Sequence, residues 1–190
     1  MAIVGPWEQP ILEGWASLAA LGPLTRHATL GLMVGANTFR NPGLTAKLAT
    51  TLDHVSDGRA ILGIGAGWYQ LEHDSLGFEF GTFTERFEKL EEALQIIKGM
   101  LAGERPTLEG RWYTVRDAIN SPAPLSRIPI MIGGGGEKKT LRLAAQYADE
   151  SYDIAEQVGL TFGVLAAFRA QVDAHLGRID RARQTAVEGL

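Results

Sequence analysis

Four consecutive glycines, Gly133 to Gly136, lead into Glu137, Lys138, Lys139 and Thr140, and this group is the part of the chain best suited to holding an anion. Glycine lets the backbone come close to a ligand, and the first N–H groups of a helix have no partner within it. Lys138 and Lys139 fall in the first turn of the expected helix. A cation there opposes the helix dipole, at a cost of a few tenths of a kcal/mol to ~1 kcal/mol unless an anion arrives. Thr140 adds a hydroxyl donor at the same place. The competing reading is a flexible turn with solvated lysines. A strand before the glycines and a helix behind them favour the phosphate site.

A second group, Gly67-Trp68-Tyr69 with Glu72-His73, follows another apolar run. Glu72 and His73 are candidates for acid–base work, because a histidine near neutrality can pass a proton to or from a substrate. A solvated loop pair is the alternative. Trp68 and Tyr69 can stack on a ligand ring or wall a pocket. His27, His54 and His175 lack metal-ligand spacing and read as structural, so no metal site is expected. Glu85 and the carboxylates at 88, 91 and 92 read as a solvated helix face. Arg86 is the exception if it anchors the loop before it. No paired-carboxylate or Ser/His/Asp arrangement is legible, so hydrolysis has little support.

The elements that must position these groups follow from hydrophobic spacing. Ile128 to Ile132 is a short apolar run, as in a strand of a parallel sheet covered on both faces. Leu141, Ala144, Ala145 and Ala148 behind it have helical spacing. Earlier in the chain, residues 1–10 read as a loop, with Trp7 and Trp15 expected to pack under elements missing from this chain. Ile11, Trp15, Leu18 and Ala19 suggest a helix ending near Gly22-Pro23. Thr29 to Val34 reads as a strand, followed by a sharp turn at Gly35-Ala36-Asn37. Asn41-Pro42 is an N-cap followed by proline at the first helical position. Leu44, Leu48, Leu52 and Val55 are the expected buried stripe of that helix. Asp57-Gly58 turns the chain into a strand at Arg59 to Ala66, and a long polar and aromatic loop runs from Gly67 to Phe83. Thr82-x-x-Glu85 has the form of a capping box, and Phe87, Leu90, Leu94, Ile97 and Leu101 give the helix behind it one apolar face. Residues 103–127 read as irregular with a short strand near Trp112. Glu150 to Ile154 is an expected fourth strand, Phe162 to Leu176 a further helix, and the tail after Gly177 is polar. Strands alternating with helices point to a parallel α/β architecture.

Composition narrows the class. The chain has 190 residues, 45% of them hydrophobic and 21% charged, which suits one globular domain. The formal net charge of −4, with no basic stripe, argues against a nucleic-acid or anionic-membrane partner. With no cysteine, disulfides, thiolate metal sites and a cysteine nucleophile are excluded. That suits a reducing compartment. No apolar run approaches the ~18 residues of a membrane span, and the expectation is a cytoplasmic protein. Gly63-Ile64-Gly65-Ala66-Gly67 offers the first glycines of a dinucleotide fingerprint but is followed by a tryptophan and a loop, which is weak support for a Rossmann domain.

Five ordered stretches resemble the luciferase-like monooxygenase family, and in particular its deazaflavin-dependent branch. They are Arg40-Asn41-Pro42-Gly43-Leu44-Thr45-Ala46-Lys47, Leu52 to Arg59, Leu62 to Trp68, Glu85-Arg86-Phe87-x-x-Leu90-Glu91-Glu92, and Ile132 to Glu137. The resemblance covers about residues 5–155 of a single domain spanning 1–190, with a helical tail at 160–190. It implies a TIM-type (β/α) barrel that binds coenzyme F-420 or FMN at the carboxyl ends of its strands. By the same resemblance Gly133, Gly134 and Gly135 hold the coenzyme phosphate, with Gly136, Lys138 and Thr140 in the same turn. Val34-Gly35 falls near a family feature at the end of the third barrel strand, often a non-proline cis peptide against the coenzyme ring. Gly67 and Trp68 line the same pocket.

The implied function is hydride transfer with a deazaflavin, F-420 being favoured, or FMN-dependent monooxygenation of a small organic substrate. The alternative is a non-catalytic, truncated relative that binds flavin or a partner. Relatives carry a strand, a helix and a second strand, ending in a histidine, before the point where this chain starts, and two closing strands are not evident after Ile154. An incomplete barrel is therefore expected, with open sheet edges that favour a homodimer.

Overall fold

The computed structural model describes residues 10–134 and 139–148. The expected strand at Glu150–Ile154, the expected helix at Phe162–Leu176, the tail, His175 and residues 1–9 with Trp7 lie outside them. Glu13 caps helix α1 (Gly14–Leu21) by accepting the Ala16 N–H at 2.7 Å, and Trp15 is buried in the core. Arg59 gathers the chain after α1, donating to the carbonyls of Gly22 at 2.8 Å and Thr25 at 2.9 Å.

Thr29 to Val34 does not run as one strand. Leu30 makes a single parallel bridge with Ala60, and the ladder resumes only at β1 (Gly35–Ala36). Between them the Leu32 backbone crosses over Gly63, where a Cβ would lie 1.8 Å from the Leu32 carbonyl oxygen. An interruption of this kind leaves no mark in a hydropathy pattern. The turn expected at Gly35-Ala36-Asn37 comes later, as a 3-10 turn at Asn37–Phe39.

Helix α2 (Pro42–Val55) starts as expected, with the Asn41 side chain accepting the Gly43 N–H at 2.9 Å. Its buried face keeps half of the expected stripe: Leu52 is buried and Leu48 packs against the core, but Leu44 and Val55 are exposed, and Ala46, Ala49 and Asp53 are buried instead. Small side chains let α2 lie close to the long helix α4 (Phe83–Leu101), a requirement that outweighs residue size in choosing the inward face. Asp53 belongs inside because its carboxylate accepts the N–H groups of Leu125 (2.7 Å) and Ser126 (2.9 Å) and the Ser126 hydroxyl (2.8 Å).

Strand β2 (Leu62–Gly65) is buried along its length. The segment beyond it, expected as loop, contains helix α3 (Gln70–Leu76). It has no apolar stripe to announce it. The His73 side chain returns to the Tyr69 carbonyl one turn back, and Gly77 ends the helix at φ +75°. On α4 the capping box forms in both directions, and Leu90, Leu94, Ile96 and Ile97 are fully buried.

The carboxylates of α4 are not merely solvated. Glu92 accepts the N–H groups of Arg111, Trp112 and Tyr113, each at 2.9 Å, and so holds the tip of a hairpin formed by β3 (Leu108–Glu109) and β4 (Thr114–Val115). Glu88 accepts from the Arg111 guanidinium and the Trp112 indole, and Glu91 pairs with Arg142. Strand β5 (Ile130–Gly133) then pairs with β2, and helix α5 (Lys139–Tyr147) buries Leu143 and Ala144. The sheet is parallel in the order β1-β2-β5. No helix among the described residues is long and apolar enough to cross a membrane.

Candidate functional site

The three parallel strands end level. Ala36 stands opposite Gly65, and Gly65 opposite Gly133, so the segments leaving β1, β2 and β5 open onto one edge of the sheet. Ligands of parallel α/β folds bind at this carboxyl edge. The Val34 side chain lies across it: a Cβ on Gly133 would come within 2.7 Å of Val34 Cγ2, and one on Gly65 within 3.0 Å. Glycine at both positions thus keeps the strand ends thin enough for Val34 to lie on them. The peptide bond between Met33 and Val34 is cis, one residue before the expected Val34-Gly35 position, and Met33 is 73% exposed beside it.

At the β5–α5 turn, Gly134 has φ +151° and its Cα lies against Thr140, whose Oγ1 is 3.1 Å from where a Cβ would be. The Thr140 side chain is fully buried and its hydroxyl has no hydrogen-bond partner among the described residues. A buried hydroxyl without a partner costs ~1–3 kcal/mol, so its retention at a helix N-terminus beside a glycine turn suits an anionic ligand. Lys139, in the same turn, donates to Thr84 Oγ1 at 3.2 Å and lies 5.5 Å from the Phe83 ring centroid. Its ammonium therefore sits at the start of α4, not in open solvent. Gly135, Gly136 and Lys138 lie outside the described residues.

After β2, Gly67 has φ +83°, and a Cβ there would meet Thr38 Oγ1 at 2.9 Å. Its carbonyl accepts from Arg86 Nε at 3.1 Å, and Arg86 also donates to the Gly81 carbonyl at 2.8 Å with its guanidinium 3.8 Å above the Phe80 ring. Burial draws the Arg86 pKa below its ordinary value, yet a guanidinium stays charged near neutrality. Arg86 is thus the loop anchor that its place behind the capping box suggested. Trp68 is 63% exposed at this edge and packs against Tyr69 with ring centroids 5.2 Å apart.

The two acid–base candidates part company. Glu72 is exposed in the first turn of α3, with no hydrogen bond to its carboxylate among the described residues. His73 is 1% exposed and both ring nitrogens are occupied, Nδ1 with the Tyr69 carbonyl at 2.8 Å and Nε2 with Thr38 Oγ1 at 2.6 Å. Asn37, also buried, donates to the Tyr113 hydroxyl at 3.2 Å and thereby ties the hairpin to the end of β1. Burial raises the Tyr113 pKa, and the bond from Asn37 works against that. Sequence reasoning missed Thr38 and Asn37, which no motif singles out. His54 has a structural bond to the Ala123 carbonyl, and no group of metal ligands occurs among the described residues.

The model of the family described as luciferase-like monooxygenase matches residues 4–187. An F420-dependent glucose-6-phosphate dehydrogenase of Microbacterium testaceum is 41% identical over 133 residues, which is 70% of this chain and 39% of that protein. One of the same description from Intrasporangium calvum is 36% identical over 156 residues, 78% of this chain and 45% of the relative. The chain spans less than half the length of these relatives. Among solved structures, an F420-dependent secondary alcohol dehydrogenase is similar with a TM-score of 0.65 and 24% identity, covering 73% of this chain and 42% of the other. The coenzyme F420-dependent tetrahydromethanopterin reductase of Methanopyrus kandleri gives a TM-score of 0.66 at 21% identity, over 92% of this chain and 52% of the other. At those identities the likeness shows a shared fold, that of part of a TIM-type barrel. The chain belongs to the luciferase-like monooxygenase family.

Proposed function

We propose that this chain carries the coenzyme site of a deazaflavin-dependent oxidoreductase, with F-420 as the coenzyme and a small organic molecule as substrate. The observation that carries the reading is at the β5–α5 turn, where Thr140 buries a hydroxyl that has no partner among the described residues, beside Gly134 and the glycine strand ends. The residues present fit a phosphorylated coenzyme. Thr140 is a buried donor with no acceptor among the described residues, the α5 N-terminus favours an anion, and Gly133 and Gly134 leave the backbone bare. F-420 is preferred to FMN because curated relatives at 41% and 36% identity are named as F420-dependent.

When bound, a deazaflavin supplies hydride transfer, whereas FMN would also allow chemistry with oxygen. The chain's own residues bind and orient. Gly133, Gly134 and Thr140 would hold the phosphate end, and Gly135, Gly136 and Lys138, which lie between them in the sequence, are assigned to the same role. Val34, Gly35, Gly67 and Trp68 border the ring and keep water from its face. Glu72, whose exposed carboxylate has no hydrogen-bond partner among the described residues, is the group that can exchange a proton with substrate. We place the protein in the cytoplasm, as a homodimer that covers exposed apolar residues such as Ile11, Leu12 and Leu24.

The test is a titration of the chain with F-420 and with FMN, followed by fluorescence quenching. Saturable binding of F-420, at least about tenfold tighter than FMN, supports the reading. Preference for FMN, or binding of neither by folded chain, overturns it.

A further inference from the structure

His73 is a buried titratable group that coenzyme binding does not use, and its surroundings are specific. The Tyr69 carbonyl can only accept, so Nδ1 carries a proton and donates to it at 2.8 Å. In the neutral ring Nε2 is then left as acceptor for the Thr38 hydroxyl at 2.6 Å. The ring stacks on Phe39 with centroids 4.3 Å apart and meets the edge of Phe80 at 4.8 Å. One imidazole therefore joins three segments: the turn after β1, the start of α3 and the approach to α4. Arg86 closes the arrangement from the other side through the Gly67 carbonyl and the Phe80 ring.

Between these two attachments lies Gly67-Trp68. Gly67 has φ +83°, and a Cβ there would stand 2.9 Å from Thr38 Oγ1, so glycine is what lets the loop pass this close to the Thr38 hydroxyl. Trp68 leaves that fixed point and stands 63% exposed at the carboxyl edge of the sheet. We propose that His73 is a positioning residue: through Thr38 and Tyr69 it locks the Gly67–Trp68 loop to the end of β1, so that Trp68 meets coenzyme or substrate already in place. The affinity part of this proposal rests on the deazaflavin reading, and the locked loop does not. Preorganisation of this sort acts on affinity and orientation without the residue touching the ligand.

Three variants separate hydrogen bonding from packing. Thr38→Val keeps the shape and removes the donor. Thr38→Ser keeps the donor. His73→Phe keeps a ring between Phe39 and Phe80 and removes both bonds. Each is measured for amide hydrogen exchange over residues 66–76 in the coenzyme-free chain, with α4 as internal control, and then for F-420 affinity. Thr38→Val and His73→Phe are expected to speed exchange in 66–76 about tenfold while α4 is unchanged, and to weaken F-420 binding by about the same factor. Thr38→Ser is expected to stay within about twofold of the unaltered chain in both. Unchanged exchange in 66–76, or equal acceleration in α4, overturns the lock. Faster loop exchange with unaltered affinity overturns the positioning role. If the unaltered chain binds no F-420, the coenzyme reading fails, and loop exchange alone still decides the lock.

Discussion

Thr140 and Gly133 put opposite demands on the β5–α5 turn. The Thr140 hydroxyl is buried with no partner among the described residues, an arrangement that costs stability in the ligand-free fold, whereas the lack of a side chain at Gly133 lets Val34 lie on the strand end. Thr140→Val should therefore raise stability by ~1 kcal/mol in urea unfolding and weaken F-420 binding by about tenfold in a fluorescence titration. A variant that lost stability would show that the hydroxyl already has a partner. Gly133→Ala places a methyl 2.7 Å from Val34 Cγ2, so Val34 must move, and affinity is expected to fall by about tenfold or more. Glu72→Gln is expected to lower turnover and leave coenzyme affinity unchanged, because its carboxylate lies outside the cradle. At this scale the glycines and Thr140 were legible as the passage from strand to helix, and Arg86 as a loop anchor. The partners of His73 were not, since Thr38 stands 35 residues away in no recognisable pattern.

Helix α4 organises the elements. Its inward leucines and isoleucines were plain from spacing, because a long helix repeats its signal over several turns. Leu94→Ala, at a fully buried position, is expected to cost about 2–5 kcal/mol in chemical denaturation. The N-terminus of α4 gives a pH test. Glu85 has its pKa lowered first by the Thr82 N–H that its carboxylate accepts, then by the Thr82 hydroxyl. A folded pKa below the unfolded one gives stability that is present above the ordinary carboxylate value and is lost as pH falls through the folded pKa. Glu85→Gln should thus be less stable than the unaltered chain near neutrality, with the gap closing below about pH 4. A gap that persists in acid would mean that the cap does not depend on charge.

Other elements were harder to read for physical reasons. Helix α2 was placed to the residue at its start by Asn41-Pro42, and Leu48 and Leu52 face the core as expected, whereas Leu44 and Val55 do not. Close contact with α4 selects Ala46 and Ala49 over Leu44, and Asp53 is drawn inside by backbone N–H groups distant in sequence. Helix α3 is short and polar and depends on His73 and Gly77, so no hydrophobic period marks it. The first strand is split by the Leu32 backbone passing over Gly63, a contact between segments that periodicity does not record.

For the molecule as a whole, the parallel order β1-β2-β5 and the common level of Ala36, Gly65 and Gly133 make the separate motifs one site. The motif order along the chain was enough to indicate the family. It could not show that Val34 lies on two strands at once. The central claim is that this carboxyl edge receives a deazaflavin, and amide hydrogen exchange with and without F-420 tests it most directly. F-420 is expected to protect residues 33–36, 65–69, 133–134 and 139–140 and to leave the β3–β4 hairpin unchanged. Saturating F-420 that left the strand ends unprotected, or protected only the hairpin, would contradict that claim.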